Sequence, residues 1–161
     1  MRQGELYRSR RVVRSPAARA RGREVAPPMD ILGIGTQVME CTRVRQLIDQ
    51  HGEAFLRQVY TDRETRFCNG KKHSTEHFTA IWAAKEAVFR SLGTTWRRGV
   101  QWTDVEIVCE NGGGPQVVLS GPTQELMAAR GVGSILLTSA HCRTFATATS
   151  LALRGDGPSQ V

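Results

Sequence analysis

Residues 78–94, FTAIWAAKEAVFRSLGT, form the longest helical pattern in the sequence. Apolar side chains recur there at steps of three and four residues, as one buried helix face requires: Phe78, Ile81, Trp82, Phe89 and Leu92. Ser74 or Thr75 is a suitable cap for the start of this helix, and Gly93 is suitably placed to end it. The stretch therefore predicts a central helix around which the rest of the chain packs.

Two charged residues interrupt the apolar face of this helix. Lys85 belongs to the apolar stripe by spacing, and Glu86 lies one turn from Trp82 and one turn before Arg90. A carboxylate buried beside aromatic rings is costly unless a cation, a metal or hydrogen bonds compensate it. The alternative is that Lys85 extends its ammonium group to water and Glu86 pairs with Arg90 on an exposed edge. The helix alone makes Glu86 a candidate and no more.

Composition limits the class of protein. The 161 residues suit one domain with a real core. The net charge of +7 is uneven, since residues 1–29 carry +6 and residues 30–161 carry +1, so the basic balance says little about the partner of the body. No apolar run is long enough to span a bilayer. Four cysteines without CxxC spacing, and without a secretory leader before them, indicate a reduced, cytoplasmic setting.

We expect three segments: a disordered extension at residues 1–28, a domain at 29–154 and a polar tail at 155–161. The extension is rich in Arg, Ala and Pro. It is compatible with nucleic-acid or anionic-surface binding, with a targeting peptide, or with an over-extended start whose true initiator is Met29. We favour the last interpretation because organised sequence begins at Met29.

The order of predicted elements indicates an α+β fold. A buried strand with two glycines is followed by short helices divided at Gly52 and by a helix with a capping box at Thr61. The predicted elements are a strand at 31–39, helices at 43–50, 53–60 and 61–69, the central helix, a basic loop at 94–99, strands at 105–110 and 116–120, a helix at 122–130, and strands at 134–140 and 144–153. The last strands read as antiparallel, which favours α+β over α/β.

Three short motifs are weak by themselves. His73 and His77 match the H-x-x-E-H zinc pattern, but the match lies at the start of a helix and no further ligand is indicated. The Gly33-Ile-Gly35 pair lacks the third glycine and the lysine of a phosphate loop. Ser139-Ala-His141 ends a strand, where the histidine could serve acid–base chemistry or only cap the strand edge.

Taken together, five segments are specific. In order they read GIGTQVME, IWAAKEAVFRSLGT, TTWRRGVQWTDVEIV, GGGPQVVLSG and ILLTSAHCRTFATATSLAL. Over residues 29–153 this succession resembles the holo-acyl-carrier-protein synthases, the small 4′-phosphopantetheinyl transferases. The resemblance implies an α+β fold with a long central helix, and a homotrimer with active sites between subunits. It also implies transfer of 4′-phosphopantetheine from coenzyme A to a serine of acyl carrier protein, in fatty acid biosynthesis, with Mg²⁺ on the pyrophosphate and adenosine 3′,5′-bisphosphate as the second product. Nucleic acid and membranes are not expected partners.

The central helix matches the family in its site residues. Glu86 corresponds to a glutamate that binds the metal, and Lys85 adjoins it as a second catalytic candidate that could meet phosphate or a carboxylate. Arg90 stands where the family often has lysine and is expected to hold a coenzyme A phosphate. Gly93 and Thr94 match the turn that approaches the nucleotide.

Further family positions lie outside that helix. Ser139 and His141 match the strand end beside the coenzyme A phosphates, where His141 is expected to orient phosphate rather than act as the base. The identity of the base stays open between Glu86 and a water held by the metal or a carboxylate. Basic residues are expected to face acyl carrier protein: Arg43 and Arg45, with Arg97 and Arg98 as further candidates.

One departure from the family bears on the metal. The first strand of the family reads G-x-G-x-D, with the aspartate as a metal ligand, whereas this chain has Gln37. An amide oxygen can bind Mg²⁺ but brings no negative charge. Glu40 is acidic but is predicted on the opposite face of the strand. Two rivals to an active transferase therefore remain: a relative that binds coenzyme A or carrier protein without transfer, and a nucleic-acid binder acting through the basic extension.

Overall fold

The computed structural model describes residues 30–95, 99–109 and 114–155. Within these ranges the elements in chain order are β1 (Ile31–Glu40), α1 (Cys41–Val59), α2 (Asp62–Asn69), α3 (Ser74–Ser91), a 3₁₀ turn (Trp102–Asp104), β2 (Val105–Val108), β3 (Gln116–Leu119), α4 (Gly121–Ala129), β4 (Val132–His141) and β5 (Phe145–Arg154). The predicted α+β class is confirmed. The predicted extension at 1–28 and all but the first residue of the predicted tail lie outside the described residues.

Two antiparallel sheets frame the domain. β5 lies between β1 and β4 in the larger sheet, and β2 pairs with β3 in a hairpin. Strand alternation gives the larger sheet an inner face of small residues on β5, which are Ala146, Ala148, Ser150 and Ala152. The helix α3 packs across this face and contacts β1, β4 and β5. The antiparallel pairing predicted for the late strands and for the hairpin is confirmed.

Two glycines of β1 bring the strand against the backbone of α3. A Cβ atom on Gly33 would collide with the carbonyl of Ser91, and one on Gly35 would collide with the carbonyl of Ala87. Any side chain at either position would push the strand off the helix. The predicted close approach is confirmed, and it accounts for both glycines of the GIG motif without a phosphate loop.

The helix boundaries agree with the predicted start and stop signals, with one exception. Gly52 has φ 54° and ψ −132°, so α1 is two helical pieces divided where predicted. Thr61 and Glu64 form the predicted capping box at α2. The predicted cap of α3 at Ser74 or Thr75 is wrong, because α3 begins at Ser74 and the preceding His73 makes no capping hydrogen bond with its side chain. Gly93, with φ 60°, follows the last turn of α3 as expected.

A buried ion pair joins α3 to four other parts of the chain. Lys85 is 0% exposed, and its Nζ lies 2.7 Å from Oε2 of Glu64 on α2. The same ammonium donates to the carbonyl oxygens of Val59 at 2.8 Å and Trp102 at 3.1 Å. Oε1 of Glu64 accepts the backbone N–H of Ile107 at 2.7 Å. The expectation that Lys85 reaches water is wrong, because all three N–H donors of the ammonium have partners inside the core.

The two charges of this pair depend on each other. Burial raises the pKa of Glu64, and the nearby ammonium of Lys85 opposes that rise. Burial lowers the pKa of Lys85, and the carboxylate of Glu64 opposes that fall. Removing either partner would leave the other group desolvated and uncompensated.

No helix among the described residues has the length and apolarity needed to cross a bilayer.

Replacing Lys85 with methionine tests this pair. We expect Lys85→Met to lower the free energy of unfolding by about 3–5 kcal/mol at pH 7, because the buried carboxylate of Glu64 loses its cation. Urea denaturation of the variant measures this loss, and Glu64→Gln/Lys85→Met should lose less than the two single variants combined. Glu53→Gln, which breaks an exposed pair with Arg57, is the control and should change little. A urea midpoint for Lys85→Met equal to that of the unaltered protein would contradict the assignment.

Candidate active site

An acidic cleft lies where β1 runs into α1 beside α3. It has a volume of about 390 Å³ and is lined by residues of all three elements: Gln37, Val38, Met39, Glu40, Arg43, Trp82 and Glu86. A larger cavity of about 510 Å³, between β3, α4 and β4, has no ionisable side chain in its lining. Because acid–base or metal chemistry needs ionisable groups, the smaller cleft is the better candidate.

Glu86 is the half-buried carboxylate of this cleft. Burial raises the pKa of Glu86, and the positive charge of Arg90 opposes the rise. Arg90 Nε lies 3.9 Å from Oε2 of Glu86, which is too far for a hydrogen bond. Arg90 itself is exposed. The i,i+4 pairing considered from the sequence is therefore present but loose, and among the described residues no hydrogen bond compensates the carboxylate.

The other oxygens of the cleft come from the end of β1. Gln37 is half-buried, and its neighbours Val38 and Glu40 are exposed, as strand alternation requires. Glu40 nevertheless lines the cleft, because it is the last residue of β1 and the chain turns there into α1. The exposure of Glu40 agrees with the prediction that it lies on the opposite strand face from Gln37, although Glu40 is still among the residues that line the cleft. Glu40 adds a second carboxylate residue to the lining of a cleft in which Gln37 contributes only an amide.

Hard-cation ligands are available here without a complete metal centre. The cleft offers an amide oxygen and two carboxylates, and the described residues contain no group of three or more His, Cys, Asp or Glu side chains that could hold a metal. Mg²⁺ takes one or two carboxylates and completes its shell with water and substrate phosphate, so this donor set fits it. A four-ligand zinc centre does not fit.

Trp82 closes the cleft on the side of the core. Its ring packs edge-on against Phe55 and Trp102, with centroids 5.3 and 5.8 Å away. Its indole Nε1 is buried and has no hydrogen-bond partner among the described residues. A buried donor without an acceptor is costly, and an acceptor from a bound molecule would remove that cost.

Lys85 does not belong to this site. The predicted role of Lys85 in catalysis and in binding coenzyme A phosphate is wrong in this structure, because its ammonium is fully buried against Glu64 and two carbonyl groups. Of the two partners considered from the sequence, phosphate or a carboxylate, it meets the carboxylate. The sequence did not identify Glu64 as that carboxylate, since its capping-box role accounted for its charge.

Ser139 and His141 lie on the other side of α3. They line a small cavity of about 70 Å³ together with His77, whose ring centroid is 4.7 Å from that of His141. Burial lowers the pKa of His77, and the charge of His141 adds to this shift. His77 and Glu86 are nine residues apart, which at about 100° per residue places them on opposite faces of α3. One protomer therefore does not bring Ser139 and His141 to Glu86.

The contacts of His73 and His77 do not support the zinc interpretation. His77 packs its ring between Phe67 and His141, with centroids 5.9 and 4.7 Å away. His73 lies beside Glu76, with 3.9 Å between Nδ1 and Oε1. The motif is a helix start with one packed and one exposed histidine, and the described residues around it form no metal-binding cluster.

Arg130, a cation that the sequence analysis missed, lies beside the turn that follows α3. Gly93 and Thr94 leave the helix, and the guanidinium of Arg130 occupies the space where a Cβ of Gly93 would lie. Arg130 Nη2 donates to the carbonyl oxygen of Gly93 at 3.4 Å. No local pattern marks Arg130, which follows α4 and meets the turn only through the fold.

Two of the four predicted carrier-binding residues lie in the described part of the chain. Arg43 is exposed and lines the cleft, and Arg45 is exposed further along the start of α1. Arg97 and Arg98 lie outside the described residues. The structure therefore places one predicted carrier-binding cation at the cleft itself.

Comparison with known proteins gives one consistent result. Residues 33–148 match the family model described as the 4′-phosphopantetheinyl transferase superfamily. The chain is 42% identical over 120 residues to a holo-[acyl-carrier-protein] synthase of Rhodopirellula baltica, covering 74% of this chain and 95% of that protein. It is 38% identical over 118 residues to one from Geotalea daltonii, covering 73% and 94%.

Solved structures agree with the sequence matches. A holo-(acyl-carrier-protein) synthase from Bacillus anthracis, in complex with CoA (3′,5′-ADP), is similar with a TM-score of 0.65 and 25% identity, covering 80% of this chain and all of that one. The holo-ACP-synthase of Plasmodium yoelii has the same fold, with a TM-score of 0.69 at 22% identity over 81% of this chain and all of that one. The chain belongs to the 4′-phosphopantetheinyl transferase superfamily and, within it, to the holo-[acyl-carrier-protein] synthases.

Proposed function

We propose that this protein transfers 4′-phosphopantetheine from coenzyme A to a serine of apo-acyl-carrier protein, for fatty acid biosynthesis. The products are holo-acyl-carrier protein and adenosine 3′,5′-bisphosphate. The observation that carries the proposal is the half-buried carboxylate of Glu86, only loosely paired with Arg90, in a cleft lined by further side-chain oxygens. Relatives named holo-[acyl-carrier-protein] synthase, one of them solved in complex with CoA (3′,5′-ADP), support the substrate pair.

Glu86 and Gln37 are the residues that would hold Mg²⁺ in the cleft. The cation supplies charge neutralisation on the pyrophosphate of coenzyme A when it is bound. Glu86 suits this role because its carboxylate is half-buried and its pairing with Arg90 is loose. Glu40, at the edge of the same cleft, adds the negative charge that the amide of Gln37 lacks.

The residues beside Glu86 are suited to phosphate. The carrier serine hydroxyl attacks the β-phosphorus of coenzyme A, and the adenosine bisphosphate leaves in line. Arg90, loosely paired with Glu86 and exposed, can donate to a phosphate oxygen without first breaking a close ion pair. The Gly93–Thr94 turn offers backbone close to the nucleotide. The serine proton passes to Glu86 or to a water that Glu86 holds.

Arg43 is the best-placed contact for acyl carrier protein. It lies on the rim of the cleft, at the first turn of α1, where the carrier serine must enter. Arg45 extends the positive surface along the same helix end. Basic residues around a reaction site attract an acidic partner and orient it, chiefly through the association rate.

The outer face of the larger sheet supports a homotrimer. Apolar side chains on this face remain exposed in the protomer, including Ile34 (60%) and Val38 (62%) of β1, Leu136 of β4 and Phe145 of β5. An apolar sheet face of this kind is typical of an interface between subunits. Such an assembly offers Ser139 and His141 of one protomer to the Glu86 cleft of the next, which α3 prevents within one chain.

A cytoplasmic location is part of the proposal. All four cysteines are free thiols, as a reducing compartment requires. The body of the chain is close to neutral, which gives no electrostatic support for binding nucleic acid outside the basic extension.

Replacing Glu86 with glutamine tests the central residue. We expect Glu86→Gln to lower kcat/KM for coenzyme A on the order of a hundredfold or more, because a neutral amide neither balances a divalent cation nor accepts a proton. The assay is the mass gain of one phosphopantetheine arm on apo-acyl-carrier protein. The control is Glu53→Gln, which lies in an exposed pair on α1. Full activity in Glu86→Gln would remove Glu86 from the mechanism.

The pH dependence of the unaltered enzyme is a second readout of Glu86. Burial raises the pKa of this carboxyl above its ordinary value of 4.5, so the ionised form is lost as the pH falls through that raised pKa. In the metal-free protein this carboxyl should therefore titrate above pH 4.5 in an NMR titration, and the titration should be absent from Glu86→Gln.

Replacing Gln37 with aspartate separates an active transferase from a weakened relative. We expect Gln37→Asp to lower the Mg²⁺ concentration for half-maximal transfer by about tenfold, because a carboxylate replaces an amide beside the cation. Titration of Mg²⁺ against initial rate measures this shift, and Gln58→Asp on the exposed side of α1 is the matched control. Transfer by Gln37→Asp but none by the unaltered protein would favour the weakened relative. An unchanged Mg²⁺ requirement would place Gln37 away from the metal.

Mixing two inactive variants tests the shared site. Glu86→Gln and His141→Ala, unfolded together and refolded in equal amounts, should recover about a quarter of the activity per site, since one site in four combines an intact Glu86 with an intact His141 of a neighbour. Each variant refolded alone is the control. Recovery no greater than the sum of the two controls would mean that both residues act within one subunit or not at all.

A further inference from the structure

Two cysteines that are 101 residues apart in sequence meet at the edge of the cleft. Cys41 is the first residue of α1, and Cys142 lies in the turn between β4 and β5. The backbone N–H of Cys41 donates to the carbonyl of Thr144 at 2.8 Å, and its Sγ donates to the carbonyl of Cys142 at 3.6 Å. The turn is closed by the N–H of Cys142, which donates to the carbonyl of Phe145 at 2.8 Å. The side chain of one cysteine thus lies against the backbone of the other.

The two thiols differ in reactivity. Cys142 is exposed in the single protomer, and its Sγ accepts the backbone N–H of Phe145 at 3.4 Å. Backbone N–H groups of Phe145 and Thr144 lower the pKa of Cys142, which favours the nucleophilic thiolate. Cys41 is buried. Cys142 is therefore the thiol that reacts first, and Cys41 is the thiol placed to react second.

The remaining cysteines provide an internal contrast. Cys68 is fully buried, and burial strongly raises its pKa. Burial also raises the pKa of Cys109. Neither thiol is exposed in the way that Cys142 is. Oxidation should therefore discriminate between Cys142 and these two residues.

We propose that Cys142 and Cys41 form a peroxide-sensitive modification site, in which Cys142 is oxidised first and Cys41 resolves it as an intramolecular disulfide. The Cys142 thiolate attacks one oxygen of hydrogen peroxide, the O–O bond breaks, and the leaving hydroxide takes a proton, giving a sulfenic acid and water. The Cys41 sulfur then attacks the sulfenic sulfur, the S–O bond breaks, and a second water leaves. Two thiols are oxidised to one disulfide, and one peroxide is reduced to two waters.

The two cysteines are already neighbours in the fold. A disulfide needs its two Cα atoms within about 7 Å. The contact between Cys41 Sγ and the carbonyl of Cys142 already holds these residues together. Rotation of the exposed Cys142 side chain, away from the N–H of Phe145, is the change that we expect.

The modification would act on the site described above, and this step rests on the proposed function. Cys41 directly follows Glu40 of the cleft and is two residues from Arg43, and Cys142 directly follows His141. A disulfide would tie the β4–β5 turn to the first turn of α1. We expect the oxidised protein to transfer phosphopantetheine severalfold more slowly, and the reduced protein to recover.

The first test is a mass measurement that does not depend on activity. The full chain is treated with equimolar hydrogen peroxide, its remaining thiols are alkylated, and its peptides are mapped. We expect a loss of about 2 Da and a peptide pair joined through Cys41 and Cys142, both reversed by dithiothreitol. Cys41→Ser should stop at a sulfenic acid on Cys142 that dimedone traps. Cys142→Ser should form no bridge to Cys41, and Cys109→Ser, the matched control, should behave like the unaltered chain.

Other results would overturn the proposal. These are an unmodified Cys142, a bridge through Cys68 or Cys109, or a bridge to Cys41 that persists in Cys142→Ser. The transfer assay follows on the same samples. If the disulfide forms but the reduced protein has no transferase activity, the proposed function is wrong and the modification site is still supported. If transfer continues at an unchanged rate after complete disulfide formation, the disulfide does not regulate the enzyme.

Discussion

The ion pair between Lys85 and Glu64 is the interaction on which the arrangement of this protein depends. It connects α3 to the end of α1, to α2, to the 3₁₀ turn and to β2 through one ammonium and one carboxylate, all of them away from water. Such a pair adds little net stability. It constrains the geometry, however, because either charge buried alone is costly. With Lys85 held inward, the next residue is turned by about 100° along the helix, and Glu86 is directed to the cleft.

The close contact between β1 and α3 serves the same end. Because Gly33 and Gly35 have no side chains, the strand lies directly on the helix backbone, and its end reaches Glu86 with Gln37 and Glu40. A bulkier strand would widen the gap between the two elements and separate the oxygen ligands. Two glycines and one buried ion pair therefore determine both the backbone packing and the positions of the candidate ligands.

The two faces of α3 carry different halves of the expected chemistry. One face presents Glu86 to the cleft, and the other packs His77 against His141. The exposed apolar face of the larger sheet leaves room for neighbours that would bring these halves together. Lys85 is committed to the core, so the proposed phosphate contacts fall to Arg90 and the Gly93 turn, beside which Arg130 lies.

Local sequence determined much of the architecture, because its signals act over a few residues. The capping box at Thr61, the break at Gly52, the close approach of Gly33 and Gly35 and the antiparallel hairpins all follow from neighbouring residues. Recognition of the family and of Glu86 also came from ordered motifs. Tertiary structure alone decided which charges are buried and which serve the site. Lys85 lies in the core because Glu64 meets it across 21 residues, Glu40 lines the cleft because a strand ends there, and Arg130 reaches Gly93 from another helix. Spacing along one element cannot reveal a partner that only folding brings near. The role of a charged residue depends on its burial and on that partner.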